Sequence, residues 1–168
     1  AVLKYRMPNG HPDIPVEDAL AAIRMVREKA RLWHVDPHRV GIMGFSAGGH
    51  LAAAASTRFT GADDRPDFTV LMYAAISRDE RMIDRETMGN LFGADVPADS
   101  ALYSCEKEVT ARTPPAFIAM SDDDDNVLPG NSICYYTALK RHGVPAELHA
   151  YPRGKHGWGW NPSFRYHD

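Results

Sequence analysis

The most constraining feature of the chain is a junction. A short apolar run, Val40-Gly41-Ile42-Met43-Gly44-Phe45, passes with no spacer into the small-residue segment from Ala47 to Thr57. The first half reads as a strand covered on both faces and the second as a helix slim enough to pack close to a sheet. The turn joining them is Gly44-Phe45-Ser46-Ala47-Gly48. A strand that turns this abruptly into a helix lifts the central serine hydroxyl into the open, and glycines on either side remove side chains that would collide across the turn. Gly49 adds a further small residue where the helix leaves the sheet. Ser46 then stands at a helix N-terminus, where free backbone N–H groups favour a developing anion. The Ala47 N–H is a candidate donor to such an anion.

The rest of the chain repeats the alternation. Ala1 to Tyr5 suits a strand, and Pro8, Asn9, Gly10, Pro12 and Pro15 mark a loop. Leu20, Ile23, Val26, Ala30 and Trp33 recur at helical spacing from Val16 to Trp33, before Asp36-Pro37. Phe68 to Ile76 reads as a strand. Ser77 to Thr113, with Gly89, Gly93 and Pro97, reads as irregular. Ala116 to Met120 is the next strand, Asn131 to His142 a helix stopped by Gly143, and Ala146 to Tyr151 a last strand. Strands separated by helices imply an α/β fold with a mostly parallel sheet and helices on both faces, binding ligands at the strands' carboxyl ends.

Composition narrows the partner. With 19 basic and 22 acidic residues the net charge is −3, and no basic block is present. Neither a nucleic-acid groove nor a polybasic membrane anchor has electrostatic support, so a small or neutral partner is favoured. No apolar run approaches the ~20 residues of a membrane span, no segment resembles a signal peptide, and nothing indicates a compartment. Cys105 and Cys134 make neither a disulfide framework nor a zinc set, and are expected unpaired. His34 and His38 are four apart, but Pro37 breaks the helix that would align them on a metal.

A serine hydroxyl needs a base and a group to orient that base. Asp122-Asp123-Asp124-Asp125 follows the Ala116–Met120 strand, at a carboxyl end of the sheet; taken alone, such a run is a solvated turn or a calcium site. His156 lies between Lys155 and Gly157, just past the last strand. The order serine, aspartate, histidine is that of one class of hydrolase and differs from the orders in chymotrypsin and subtilisin. Enough chain separates the acidic turn from His156 for one helix and one strand, which returns both to the same edge.

These residues carry a resemblance. The stretch from Asp36 to His50, the segment Ser121 to Ser132, Gly143 to His149 and His156-Gly157-Trp158-Gly159 resemble α/β-hydrolase superfamily serine esterases, within them the bacterial acetyl-xylan and feruloyl esterase-like (lipase/esterase) group. The similarity runs from Lys4 to about Trp160. It implies Ser46 as nucleophile, His156 as general base and then acid, and Asp124 or Asp125 as the orienting carboxylate. Gap-free alignment through Asn131-Ser132 favours Asp124, whereas a D-x-apolar-apolar-P pattern favours Asp125. The substrate implied is a carbohydrate acetyl or feruloyl ester, or a small acyl ester, and the chemistry calls for no metal or organic cofactor. Trp158, Trp160 and Tyr151, near His156, either pack or stack on a sugar or aryl group.

Two departures stand out. Lys155 occupies a position where the family usually has a second glycine. Such hydrolases also carry roughly 70 or more residues before the first strand seen here, including a Gly-rich loop that gives the second oxyanion N–H. Gly10 is a weak substitute. Residues 1–168 are therefore expected to be a single α/β-hydrolase domain, its C-terminal two-thirds, either completed by a missing N-terminal segment or a partner chain or else a degenerate hydrolase with little activity. Two other functions share parts of this pattern: a prolyl-oligopeptidase-like peptidase and a noncatalytic binding module on the same scaffold.

Overall fold

The computed structural model describes residues 1–93 and 101–166; Pro97 lies outside them. Four strands, β1 (Ile42–Phe45), β2 (Thr69–Met72), β3 (Ala116–Ser121) and β4 (Ala146–Tyr151), form one sheet in that spatial order. Every pairing is parallel, with Ile42, Thr69, Ala116 and Ala146 side by side. The α/β class read from the alternation is the class observed.

Side-chain alternation divides the sheet. Leu71 and Ile118, with Ile42 and Leu148 at the edges, face a core built with α1 (Asp13–Glu28), α3 (Ser46–Thr57), α4 (Arg85–Phe92) and α5 (Gly130–Arg141). A four-residue α2 (Ala30–Trp33) follows α1. α3 lies closest to β1 and β2 because Ala52, Ala53, Ala54 and Ala55 are buried and short. α1 packs on α3 through Val16, Ala19, Leu20 and Ile23. On the opposite face Phe45, Met72, Phe117, Ala119 and Tyr151 meet Tyr73, Trp158 and Phe164. The two-sided helical cover expected is thus, among the described residues, one helical face and one aromatic face.

Several boundaries differ from the sequence reading. Ala1 to Tyr5 is not a strand: no ladder partner lies beside it, and the chain instead runs over α1, where Asp18 accepts from the Arg6 backbone N–H at 2.8 Å and from its guanidinium. The helix expected over Val16–Trp33 starts three residues earlier, breaks at Lys29 and stops at His34, whose φ is +54°. Among the described residues β1 lies at one end of the sheet, and its Met43 is 43% exposed, so the strand is not covered on both faces as expected. β2 ends at Met72 rather than Ile76, because Tyr73 turns out of the strand at φ +39°. The segment after it is nevertheless buried, and Asn131 Oδ1 accepts from the backbone N–H groups of Ile76 and Ser77, both at 2.9 Å. The stretch expected to be irregular contains α4, capped by Asp84, which accepts from the Glu86 N–H.

Both cysteines are unpaired: Cys105 is fully buried, where desolvation pushes its thiol up, and Cys134 is half-buried. No helix of the described residues is long and apolar enough to cross a membrane.

Candidate active site

The turn between β1 and α3 is as sharp as the sequence required. Ser46 has φ +52°, a left-handed conformation that costs a non-glycine residue on the order of 1–3 kcal/mol. The surroundings hold it there. A Cβ on Gly44 would stand 2.0 Å from the Gly48 carbonyl oxygen, so only glycine fits at that position. The Ala75 N–H donates to the Ser46 carbonyl at 3.2 Å, tying the elbow to the segment after β2. Gly48, expected to be needed for the same reason as Gly44, faces open space; the second close approach is at Gly49, where a Cβ would lie 2.4 Å from that of Ala74. As the second residue of α3, Ala47 has an N–H with no intrahelical acceptor.

β3, α5 and β4 bring the other two groups to the same edge. His156 Nε2 lies 2.8 Å from Ser46 Oγ, and His156 Nδ1 lies 2.8 Å from Asp124 Oδ2. The Asp124 side chain is 1% exposed and that of His156 18%. Asp124 Oδ1 accepts from the backbone N–H groups of Asn126 at 3.0 Å and Val127 at 2.9 Å, which fixes the carboxylate's rotation and leaves Oδ2 for the imidazole. Asp125 points away, its carboxylate 79% exposed and 3.1 Å from the Lys155 ammonium, which holds it below the usual carboxylate range. Between the two aspartates weighed from sequence, Asp124 is the one in contact with the histidine.

The carboxylates of the acidic run diverge rather than forming one anionic cup. Asp123 Oδ1 accepts from the N–H groups of Gly154 and Lys155, both at 2.8 Å, and so anchors the loop that carries His156. The Asp122 N–H donates to the Tyr151 carbonyl at 2.7 Å. Among the described residues no group of three or more His, Cys, Asp or Glu side chains is arranged to hold a metal ion. Lys155 takes φ +57°, which explains a preference for glycine there, and the histidine still reaches the serine.

Tyr73 is a neighbour that nothing in the sequence singles out, since it reads there as a mid-strand residue. Its ring stands edge-on to the His156 imidazole with centroids 4.9 Å apart. Burial pushes its phenol up, and the Gly159 backbone amide pulls the other way. Tyr151 is half-buried and Trp158 buried, both within the aromatic cluster, so these two pack; Trp160 is 76% exposed. A cavity of about 110 Å³ opens beside Ala47, His50 and Leu51, but neither Ser46 nor His156 lines it. Gly10 lies against the Phe92 carbonyl.

Residues 2–159 match the family model described as alpha/beta hydrolase fold. The chain belongs to that family. It is 42% identical over 173 aligned positions to an acetylxylan esterase of Xylanibacter ruminicola, covering 99% of this chain and 36% of the relative. It is 34% identical to endo-1,4-beta-xylanase B of Butyrivibrio fibrisolvens, covering 85% of this chain and 24% of that protein. Among solved structures, the acetyl ester-xyloside bifunctional hydrolase of Caldicellulosiruptor lactoaceticus superposes with a TM-score of 0.89 at 37% identity, over 98% of this chain and 65% of the other. This chain therefore spans about a third of the acetylxylan esterase and two-thirds of the solved relative.

Proposed function

We propose that this chain carries the catalytic triad of a serine ester hydrolase acting on acetyl or other small acyl esters of carbohydrate. The observation that carries the reading is the unbroken relay from Ser46 Oγ to His156 to the buried Asp124, each step 2.8 Å. The similarity to an acetylxylan esterase supports the substrate class.

In this reading Ser46 Oγ attacks the ester carbonyl while His156 Nε2 takes its proton. Asp124 keeps the Nδ1 proton on its own side, so that Nε2 is free to accept, and stabilises the imidazolium that forms. The Ala47 N–H donates to the tetrahedral oxyanion. In this reading a second N–H donor joins it, since losing one oxyanion donor costs roughly 10²–10³ in rate. The C–O bond to the alcohol breaks and the alcohol leaves with the proton from His156. Water then attacks the acyl carbon, giving its proton to His156, and Ser46 leaves with that proton as the carboxylic acid departs. Residues 1–168 form part of one hydrolase domain in this account.

The test is product release. Acetate should appear from acetylated xylan and p-nitrophenol from p-nitrophenyl acetate, with both lost in Ser46→Ala. Cleavage of proline amide substrates without ester cleavage would overturn the proposal in favour of a peptidase.

A further inference from the structure

Trp160 is the most exposed of the described tryptophans, phenylalanines and tyrosines, at 76%. It does not sit on a loose tail. Two residues earlier Trp158 is 7% exposed and stacked on Phe164, with ring centroids 4.2 Å apart and planes 5° from parallel. The Trp158 carbonyl accepts the Asn161 N–H at 2.7 Å and the Asn161 carbonyl accepts the Phe164 N–H at 2.9 Å. Two consecutive turns therefore close around that stack, and Trp160 occupies the third position of the first. Gly159, with φ +43°, makes the reversal that turns one indole in and the next out.

The same turn is tied to the proposed base. A Cβ on Gly159 would lie 3.3 Å from the Tyr73 hydroxyl, and the Tyr73 ring abuts the His156 imidazole. Trp160 is four residues from His156, so chain reach alone keeps their Cα atoms within about 14 Å. An indole held outward by a fixed backbone presents a flat apolar face without the ordering cost of a mobile side chain.

We propose that Trp160 is a stacking platform for a sugar ring on the alcohol side of the scissile ester, gripping the polysaccharide chain beside Ser46 and His156. A pyranose ring has an apolar C–H face and a polar hydroxyl rim, which suits a ring that is apolar in the middle and wet at its edge. The inference rests on the esterase reading for the substrate class, but the experiment separates the two.

Binding is measured in a Ser46→Ala background, where nothing is turned over, by isothermal titration calorimetry with xylohexaose, and tryptophan emission is followed in the protein that keeps Trp160. Xylohexaose should perturb the emission, Trp160→Ala should weaken binding by about fivefold or more, and Trp160→Phe should recover part of the loss. In the active protein, Trp160→Ala should lower the ratio of kcat/KM for acetylated xylohexaose to that for p-nitrophenyl acetate by about the same factor. Unchanged xylohexaose binding in Trp160→Ala overturns the platform, as does methyl ferulate competing for Trp160 where xylohexaose does not. A protein that hydrolyses no ester but binds xylohexaose through Trp160 ends the esterase reading and leaves the platform standing. Ester hydrolysis with an unaltered selectivity ratio in the variant does the reverse.

Discussion

Replacing Asp124 by Asn changes one atom, and the structure dictates what that atom does. Asp124 Oδ1 is held by two backbone donors, the N–H groups of Asn126 and Val127. An asparagine must keep its carbonyl oxygen there, because flipping the amide would turn its NH₂ on both donors and leave them unpaired, at about 1–3 kcal/mol each. Its NH₂ is thereby forced into the Oδ2 position, 2.8 Å from His156 Nδ1. The imidazole must then accept at Nδ1 and carry its proton on Nε2, the atom that faces Ser46 Oγ. A base protonated in its resting state cannot take the serine proton. The same substitution in a serine protease triad lowers kcat by about 10⁴, which corresponds to roughly 5 kcal/mol in the barrier. Asp124→Asn should therefore lose about 10³–10⁴ in kcat for p-nitrophenyl acetate, with KM and the melting temperature changed little, since volume and both backbone bonds are kept. Asp125→Asn removes only an exposed ion pair and should stay within about twofold of wild type. Steady-state kinetics on the two purified variants decide the matter. An Asp124→Asn enzyme with more than a tenth of wild-type kcat, or an Asp125→Asn enzyme equally impaired, would refute the reasoning.

Further outcomes follow from the same geometry. Gly49→Ala drives a Cβ to within 2.4 Å of the Ala74 Cβ and should cost about 1–3 kcal/mol; Gly48→Ala meets open space and should be neutral or slightly stabilising in the same thermal melts. Tyr73→Leu removes the ring edge beside the imidazole and should lower kcat severalfold while leaving KM for a small ester nearly unchanged, read by steady-state kinetics. Burial holds the His50 imidazole below its ordinary value of 6.5, against a smaller opposing pull from the Tyr103 carbonyl. The unfolded chain then binds the proton more readily, so this contribution to stability is in place above about pH 6.5 and is lost as pH falls through the lowered folded value. Urea midpoints should drop from about pH 7.5 to about pH 5.5, and His50→Gln should flatten that drop; equal slopes in the two proteins would contradict it.

The parts of the site that were legible in the sequence are those fixed by short-range geometry or by chain order. A glycine-flanked serine between a strand and a helix has few conformations open to it, and an acidic turn and a histidine after successive strands of a parallel sheet must emerge at one edge. Long-range contacts were not legible. Whether Asp124 or Asp125 met His156 depended on which carboxylate the Asn126 and Val127 amides locked in place, and the run Asp-Asp-Asp-Asp is the same at both positions. The anchoring role of Asp123 needed the Gly154 and Lys155 amides across a stretch that only folding brings near. Tyr73 was hidden inside an apolar run whose register gave no sign of a turn. α4 was missed although Asp84 is a good N-cap residue, because Gly89 within the helix and Gly93 after it read as loop. Ala1 to Tyr5 shows the opposite error: its composition favours a strand, but a strand exists only where a neighbour completes the ladder.

The central claim is that Ser46 is a nucleophile activated by His156, and covalent trapping reads it directly. The folded protein, treated with a fluorophosphonate and analysed by peptide mass spectrometry, should carry one phosphonyl adduct on Ser46. The adduct should be absent from Ser46→Ala and form far more slowly in His156→Ala. An adduct on another residue, or labelling of Ser46 at an undiminished rate without the histidine, would contradict the account.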